Sequence, residues 1–201
     1  MNQRRSPQQL RAKLTRQHLL DAARRVFGEN GYAGATVDDV ARAAGCSKGA
    51  YYFHFATKED ALLALTEDWS TGLTHRLEVA LERGATPDVA LRGVLEATLG
   101  GEGVLARDRL LVLELWLQAA RNPKVRAILD RARSAWRRIL VVAFSRAQER
   151  APEQAAGLAL ALQHGLLAQA CLDGASSETQ RERAGSALAA LTGPAALRRT
   201  A

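Results

Sequence analysis

Residues 36–58, TVDDVARAAGCSKGAYYFHFATK, constrain this chain more than any other stretch, because two short helices and the turn between them are written into it almost completely. Thr36 can open the first helix, since its hydroxyl can accept from a first-turn amide and Asp39 stands three residues on, where a capping box places an acid. Val37, Val40, Ala41 and Ala44 recur at helical spacing and form its expected buried face. Gly45 tolerates the left-handed backbone that stops a helix abruptly, so the next can leave at a steep angle. Ser47 is placed to cap that second helix, predicted from Lys48 to His54.

The second helix is short, and one of its sides is polar and aromatic. Tyr51 and Phe55 lie four residues apart and turn inward with the first helix, leaving Ser47, Lys48, Ala50, Tyr52 and Phe53 on the remaining arc. Lysine, tyrosine and small residues near a helix N-terminus suit the major groove, where lysine donates to guanine and aromatic groups touch thymine methyls. Lys58 opens the following helix and can reach a phosphate. A helical hairpin inside an ordinary all-α protein would explain the caps and the apolar spacing. It gives no reason for the outward Tyr-Tyr-Phe-His run.

Residues 16–65 resemble the N-terminal domain of the TetR family of transcriptional regulators. The likeness runs without a gap through LLDAARRVFGENGYAGATVDDVARAAGCSKGAYYFHFATKEDALLAL. It takes in a first helix ending at Gly31, Thr36 before the second helix, the SKGAYY recognition segment and the Lys58-Glu59 start of the fourth. The resemblance implies that Thr36, Tyr52, His54 and Lys58 touch backbone phosphates, and that Ser47, Lys48, Gly49 and Ala50 lie nearest the base edges. Two positions depart from the commonest form. Ala50 stands where Thr is frequent, removing one hydroxyl contact, and Tyr51 stands where Leu is usual, which changes packing rather than readout.

Charge is distributed in keeping with an anionic partner. The net charge is +7, and the first 25 residues supply six of it through Arg4, Arg5, Arg11, Lys13, Arg16, Arg24 and Arg25 against Asp21 alone. Such an N-terminal segment can follow a phosphate backbone or enter a minor groove, or it can be a solvated tail, since the sequence from Ser6 to Gln9 has little to bury. No apolar stretch follows the early arginines and no run of about 18 apolar residues is found, so neither a secretory nor a membrane reading is expected. The two cysteines, Cys46 and Cys171, lack metal-ligand spacing and read as residues of a reducing cytoplasm.

Beyond Leu65 the pattern is helical throughout, with breaks at Pro87, the glycine-rich run at 100–103, Pro123, Pro152 and Gly174. Helices are predicted near 58–83, 87–99, 104–121, 124–150, 152–173 and 177–191, the last opened by the Ser177-Gln180 pair. With three helices before them, the fold class is all-α with about nine helices. The expected organisation is a flexible basic arm over 1–13, a helix-turn-helix domain over 14–57 and a helical ligand-binding and dimerisation domain over 58–201. A chain of 201 residues buries roughly 70% of the surface its unfolded form exposes, enough for a sizeable core.

Two features of the second domain carry functional expectations. The last two helices bear a stripe of small and aliphatic residues, Leu158, Leu162, Gly165, Leu166 and Gln169, continued at Leu188 and Leu191. Small residues allow helices to approach closely, so these positions suit either a homodimer interface or an intramolecular core. The resemblance favours the dimer, and two recognition helices reading one face of a palindrome must stand about 34–36 Å apart. The second feature is LLVLELWLQAA at 110–120, apolar all round except at Glu114 and Gln118, which share a face. A carboxylate and an amide turned into an apolar interior would suit a small-molecule effector, with Trp69, His75, Trp116, Phe144, His164 and Cys171 as candidate walls. Each of these residues also has an ordinary core reading, and Glu114 can pair with Arg107 or Arg109.

Catalytic signatures are missing: there is no nucleophile elbow, phosphate loop, dinucleotide fingerprint or metalloprotease motif, and the four histidines gather on no helix face. The expectation is therefore a cytoplasmic homodimeric regulator that binds double-stranded operator DNA and responds to a small molecule, without catalytic residues, metal or cofactor. The competing classes are an architectural DNA-binding protein, which would lack an interior pocket, and an all-helical enzyme.

Overall fold

The computed structural model describes residues 7–84 and 106–173, with positions 179, 182, 183 and 186 described singly. They form seven helices: α1 (Pro7–Gly34), α2 (Val37–Ala43), α3 (Lys48–His54), α4 (Lys58–Glu82), α5 (Ala106–Arg121), α6 (Pro123–Arg146) and α7 (Pro152–Asp173). Among the described residues there is no strand. Seven described helices compare with nine expected; those predicted at 87–99 and 177–191, with the glycine run at 100–103, lie outside the described residues. Residues 7–13, expected in a flexible arm, instead form the first turns of α1.

Local chemistry explains where these helices begin and end. Thr36 and Asp39 close a reciprocal capping box on α2, and Thr57 and Asp60 repeat it on α4. An N-cap of this kind is worth about 1 kcal/mol. Ser47 caps α3 by accepting from the Ala50 amide at 3.1 Å. Asn122 caps α6, whose first helical position is Pro123, a residue that has no amide to leave unsatisfied there. Gly45, at φ +65°, makes the left-handed turn between α2 and α3. Gly31, at φ +69°, breaks the helical path inside α1, so the chain changes direction before Gly34.

One hydrophobic cluster joins α1, α2 and α3 to the rest of the protein. It contains Leu19, Phe27, Val40, Tyr51 and Phe55, and it continues through Leu62 and Leu65 of α4 into Leu111 and Leu115 of α5 and Val125 and Leu129 of α6. The apolar side of α6, from Val125 through Ile128, Ala132, Trp136, Leu140 and Phe144, recurs every three or four residues. It packs between α4 and α7. The Trp136 indole N–H donates to Thr74 Oγ1 at 2.8 Å, and its ring meets Trp69 edge-on.

Helix α7 corrects the expectation that no segment is apolar enough to span a bilayer. Pro152–Leu172 passes that test by length and composition, with a mean hydropathy of 1.4. Isolated polar residues such as Gln163 and His164 hide this from a search for an unbroken apolar run. Its inward side, including Ala156, Ala159, Leu160, Leu167 and Ala170, is buried in the core of the bundle.

Candidate DNA-reading surface and helical-domain cleft

The first three helices form a compact reading head. Tyr51 is fully buried, its hydroxyl donating to the Thr57 carbonyl at 3.1 Å and its ring tilted against Phe55. Burial raises its phenol well above the ordinary tyrosine range. One residue on, Tyr52 is 49% exposed and Phe53 79% exposed. A single helical step thus separates the anchor of α3 from its outer face. Ser47, Lys48 and Gly49 are also exposed and Ala50 is half-buried, so the expected base-reading positions do share one surface.

Three expected DNA contacts are engaged within the protein. The Lys58 ammonium donates to the carbonyls of Tyr32 and Ala35 at 2.7 and 2.8 Å and lies over the Tyr32 ring. It ties the start of α4 to the end of α1 rather than standing free for a phosphate. Lys48 pairs with Asp38 at 2.9 Å, both well exposed. Solvent screens such a pair strongly, and an incoming phosphate or guanine can compete with the carboxylate. Thr36 is occupied by its capping box, its hydroxyl facing Asp39. His54 is partly buried; burial and the nearby Arg16 guanidinium lower its pKa below the ordinary histidine value.

The helical domain separates residues that the sequence suggested would meet. Glu114 accepts from Gln118 Nε2 at 2.7 Å. Its other oxygen lies 3.5 Å from where a Cβ on Gly31 would stand. The pair therefore sits with Leu111 and Leu115 on the side of α5 that packs against α1, turned away from Trp116. The reason is register: Trp116 and Val112 occupy the other side, facing α7. Phe144 is buried in the core around Trp136, and His75 is exposed in a groove between α4 and α6. Trp69 packs within the core and is half-buried. Cys171 is partly buried beside Val112 and Leu167, and burial raises its thiol pKa.

Trp116 and His164 do come together, their rings edge-on at 4.5 Å. They line a cleft of about 380 Å³ with Ala119, Ala120, Leu129 and the charged residues Arg126, Asp130 and Arg133. Burial, then the Arg133 charge, lowers the His164 pKa. Arg126 is committed to the carbonyls of Ala119 and Ala120, closing the end of α5.

The predicted dimer stripe splits by side. Leu158 is 59% exposed, and Gly165 and Gln169 are exposed with it, while Leu172 extends the same side at 85%. Leu166 is buried and Leu162 half-buried against Val112 and Leu167, so both serve the intramolecular core. Leu188 and Leu191 lie outside the described residues. Sequence reasoning missed Leu172, although it follows Leu158 and Gly165 at seven-residue intervals. It also missed the junction of Asn122 with Glu59, which nothing local announces.

A capped helix-turn-helix with an outward aromatic face, joined through a shared core to a larger helical bundle, defines the class of a helix-turn-helix regulator. The family model for bacterial regulatory proteins of the tetR family matches residues 19–65, and that for the tetracyclin repressor-like C-terminal domain matches 85–194. This chain belongs to the TetR family. Among curated relatives, the transcriptional repressor AcnR of Corynebacterium glutamicum is 42% identical over 82 residues, 41% of each chain. The regulator CymR of Pseudomonas putida is 35% identical over 131 residues, covering 65% of this chain and 64% of CymR. The chain thus spans less than two thirds of the length of either relative. A crystal structure of a transcriptional regulator from Rhodococcus sp. Rha1 superposes with a TM-score of 0.77 at 26% identity, over 88% of this chain and 95% of that one.

Proposed function

We propose that this protein is a homodimeric, ligand-responsive repressor that binds a palindromic operator through α3 of each protomer. The observation that carries the reading is the split of α3 between a buried anchor, Tyr51, and an outer face of Tyr52 and Phe53 beside Lys48. Exposed aromatic rings at the end of a well-capped helix have no use inside this fold and match the apolar contacts that the major groove offers. Ser47, Gly49 and Ala50 bring backbone close to the base edges, while Thr36, Tyr52 and His54 face the flanking phosphates.

The dimer forms through the outward side of α7, with Leu158, Gly165, Gln169 and Leu172 at its centre. This assignment also accounts for the apolar composition of that helix: its inner side is core and its outer side is interface. An effector taken up in the helical domain shifts the spacing of the two recognition helices through α4, and it does so only by binding the two states with different affinity. The protein acts in the cytoplasm and carries no catalysis of its own. Among the described residues no group of histidines, cysteines and carboxylates could hold a metal.

The test is fluorescence anisotropy of the purified protein on DNA from upstream of its own gene, with unrelated DNA as control and salt varied. Tight binding to the upstream fragment alone is expected. Equal and steeply salt-dependent binding to both would reduce the interaction to phosphate attraction and favour an architectural protein.

A further inference from the structure

The buried side of α7 consists of Ala156, Ala159, Leu160, Gln163, Leu166, Leu167 and Ala170, spaced by three and four residues, and one of the seven is polar. Gln163 is 2% exposed, and its Oε1 has no hydrogen-bond partner among the described residues. The three residues before it belong to the cluster around Trp136, and the three after it to the cluster around Val112. Gln163 thus occupies the seam between two apolar clusters, with Trp69 packed against both. A leucine would fill the same volume without a polar atom to satisfy. A carboxamide oxygen left unpaired in such a place is a cost to folding of the kind that proteins tolerate at functional sites.

Open space approaches the same part of α7. His164, the next residue, lines the cleft of about 380 Å³ with Trp116, Leu129, Arg126, Asp130 and Arg133, and Gln163 lies one residue behind that wall. The side chains flanking Gln163 on its own helix are apolar, and the charges of the cleft are engaged within the protein, Arg126 with the carbonyls of Ala119 and Ala120 and Arg133 with Asp130 at 3.8 Å. An ionised ligand would therefore lose its water for no free counter-charge, whereas a neutral hydroxyl loses far less. A hydroxyl also satisfies the carboxamide whichever way its oxygen and nitrogen are turned, because it both donates and accepts.

We propose that Gln163 is the polar anchor of an effector site in the core of the helical domain, taking the hydroxyl of a small, neutral, otherwise apolar molecule. The assignment rests on the ligand-responsive reading above and gives it a chemistry.

The test compares the full-length wild type with Gln163→Leu and Gln163→Met, using benzyl alcohol and toluene as probes and melting temperature as the readout. Without probe, both variants are expected to melt higher than wild type, because a buried, unpaired oxygen has been removed. Benzyl alcohol should raise the wild-type melting temperature more than toluene does, and the variants should lose that preference. Lower melting of both variants would show the carboxamide already bonded inside the fold, by a buried water or a backbone group, and overturn the proposal. An equal wild-type response to the two probes, including none, would overturn it as well. Anisotropy on upstream DNA separates the two readings. A Gln163-dependent preference for the alcohol with unchanged DNA binding keeps the anchor and defeats ligand control. A compound that releases DNA equally from wild type and Gln163→Leu keeps ligand control and defeats the anchor.

Discussion

Asn122 donates from Nδ2 to Glu59 Oε1 at 2.8 Å while its Oδ1 caps α6 by accepting from the Lys124 and Val125 amides, so one side chain closes the α5–α6 corner and fastens it to the first turn of α4. Lys124 Nζ reaches the other Glu59 oxygen at 3.3 Å. The Asn122 hydrogen bond, and then that of Lys124, lower the Glu59 pKa below the ordinary glutamate value. Side-chain contacts thus join the corner directly to the first turn of the helix that follows the reading head.

Replacing Asn122 by Ala should cost about 0.5–2 kcal/mol, the usual effect of losing a cap. Asn122→Asp keeps the cap but sets a carboxylate beside Glu59, so it should also be less stable than wild type at neutral pH. The gap should narrow as pH falls through the Glu59 range. Wild type then loses the stability its depressed carboxyl provides above the unfolded-state pKa, and the variant sheds its repulsion. Urea midpoints measured against pH check this, and a pH-independent gap would remove Glu59 from the account.

Tyr51 and Tyr52 should separate folding from recognition. Tyr51→Ala empties a fully buried site and should destabilise by about 3–5 kcal/mol. Tyr51→Phe loses only the bond to the Thr57 carbonyl, about 1 kcal/mol. Tyr52→Ala should leave the melting temperature near wild type and weaken operator binding by about 1–3 kcal/mol. Unchanged affinity would take Tyr52 out of the interface.

His54 should make DNA binding pH-dependent. Its lowered pKa keeps the imidazole neutral at physiological pH, and a protonated ring beside phosphate would add attraction. Affinity should therefore rise as pH falls below about 6.5, the unperturbed histidine value. His54→Gln should abolish that part of the rise in anisotropy titrations.

His164 gives the opposite sign for stability. Its folded-state pKa is depressed, so the unfolded chain binds the extra proton first on acidification. The stability held by neutral His164 is present above the unfolded value and is lost as pH falls through about 6.5. Melting curves of His164→Asn should be flatter than wild type across that window.

Leu158 and Leu166 lie eight residues apart on one helix and should fail in different ways. Leu158→Arg, on the exposed side, should give a folded monomer by sedimentation, while Leu166→Arg, on the buried side, should unfold the domain. A Leu158→Arg protein that remains dimeric would place the interface elsewhere.

The reading head was legible because its signals are local. Thr36 with Asp39, Gly45, Ser47 and the four-residue step from Tyr51 to Phe55 each act within one or two turns, and the helix Lys48–His54 stands where they place it. The helical domain was less legible, because its site residues depend on which side of each helix meets which neighbour. Glu114 and Trp116 are two residues apart, yet they face different helices.

Sequence alone determined the all-helical class, the caps, the turn and the basic N-terminal segment, since these follow from contacts between near neighbours and from composition. Tertiary structure decided what each side chain does once the helices pack. It spent Lys58 on the carbonyls of α1, set Glu114 with Gln118 at the α1–α5 junction, divided the α7 stripe between core and outer surface, and placed Gln163 in an apolar seam. Such outcomes depend on partners as many as 65 residues away in the chain, as Glu59 is from Lys124, and no periodicity within a single helix records them.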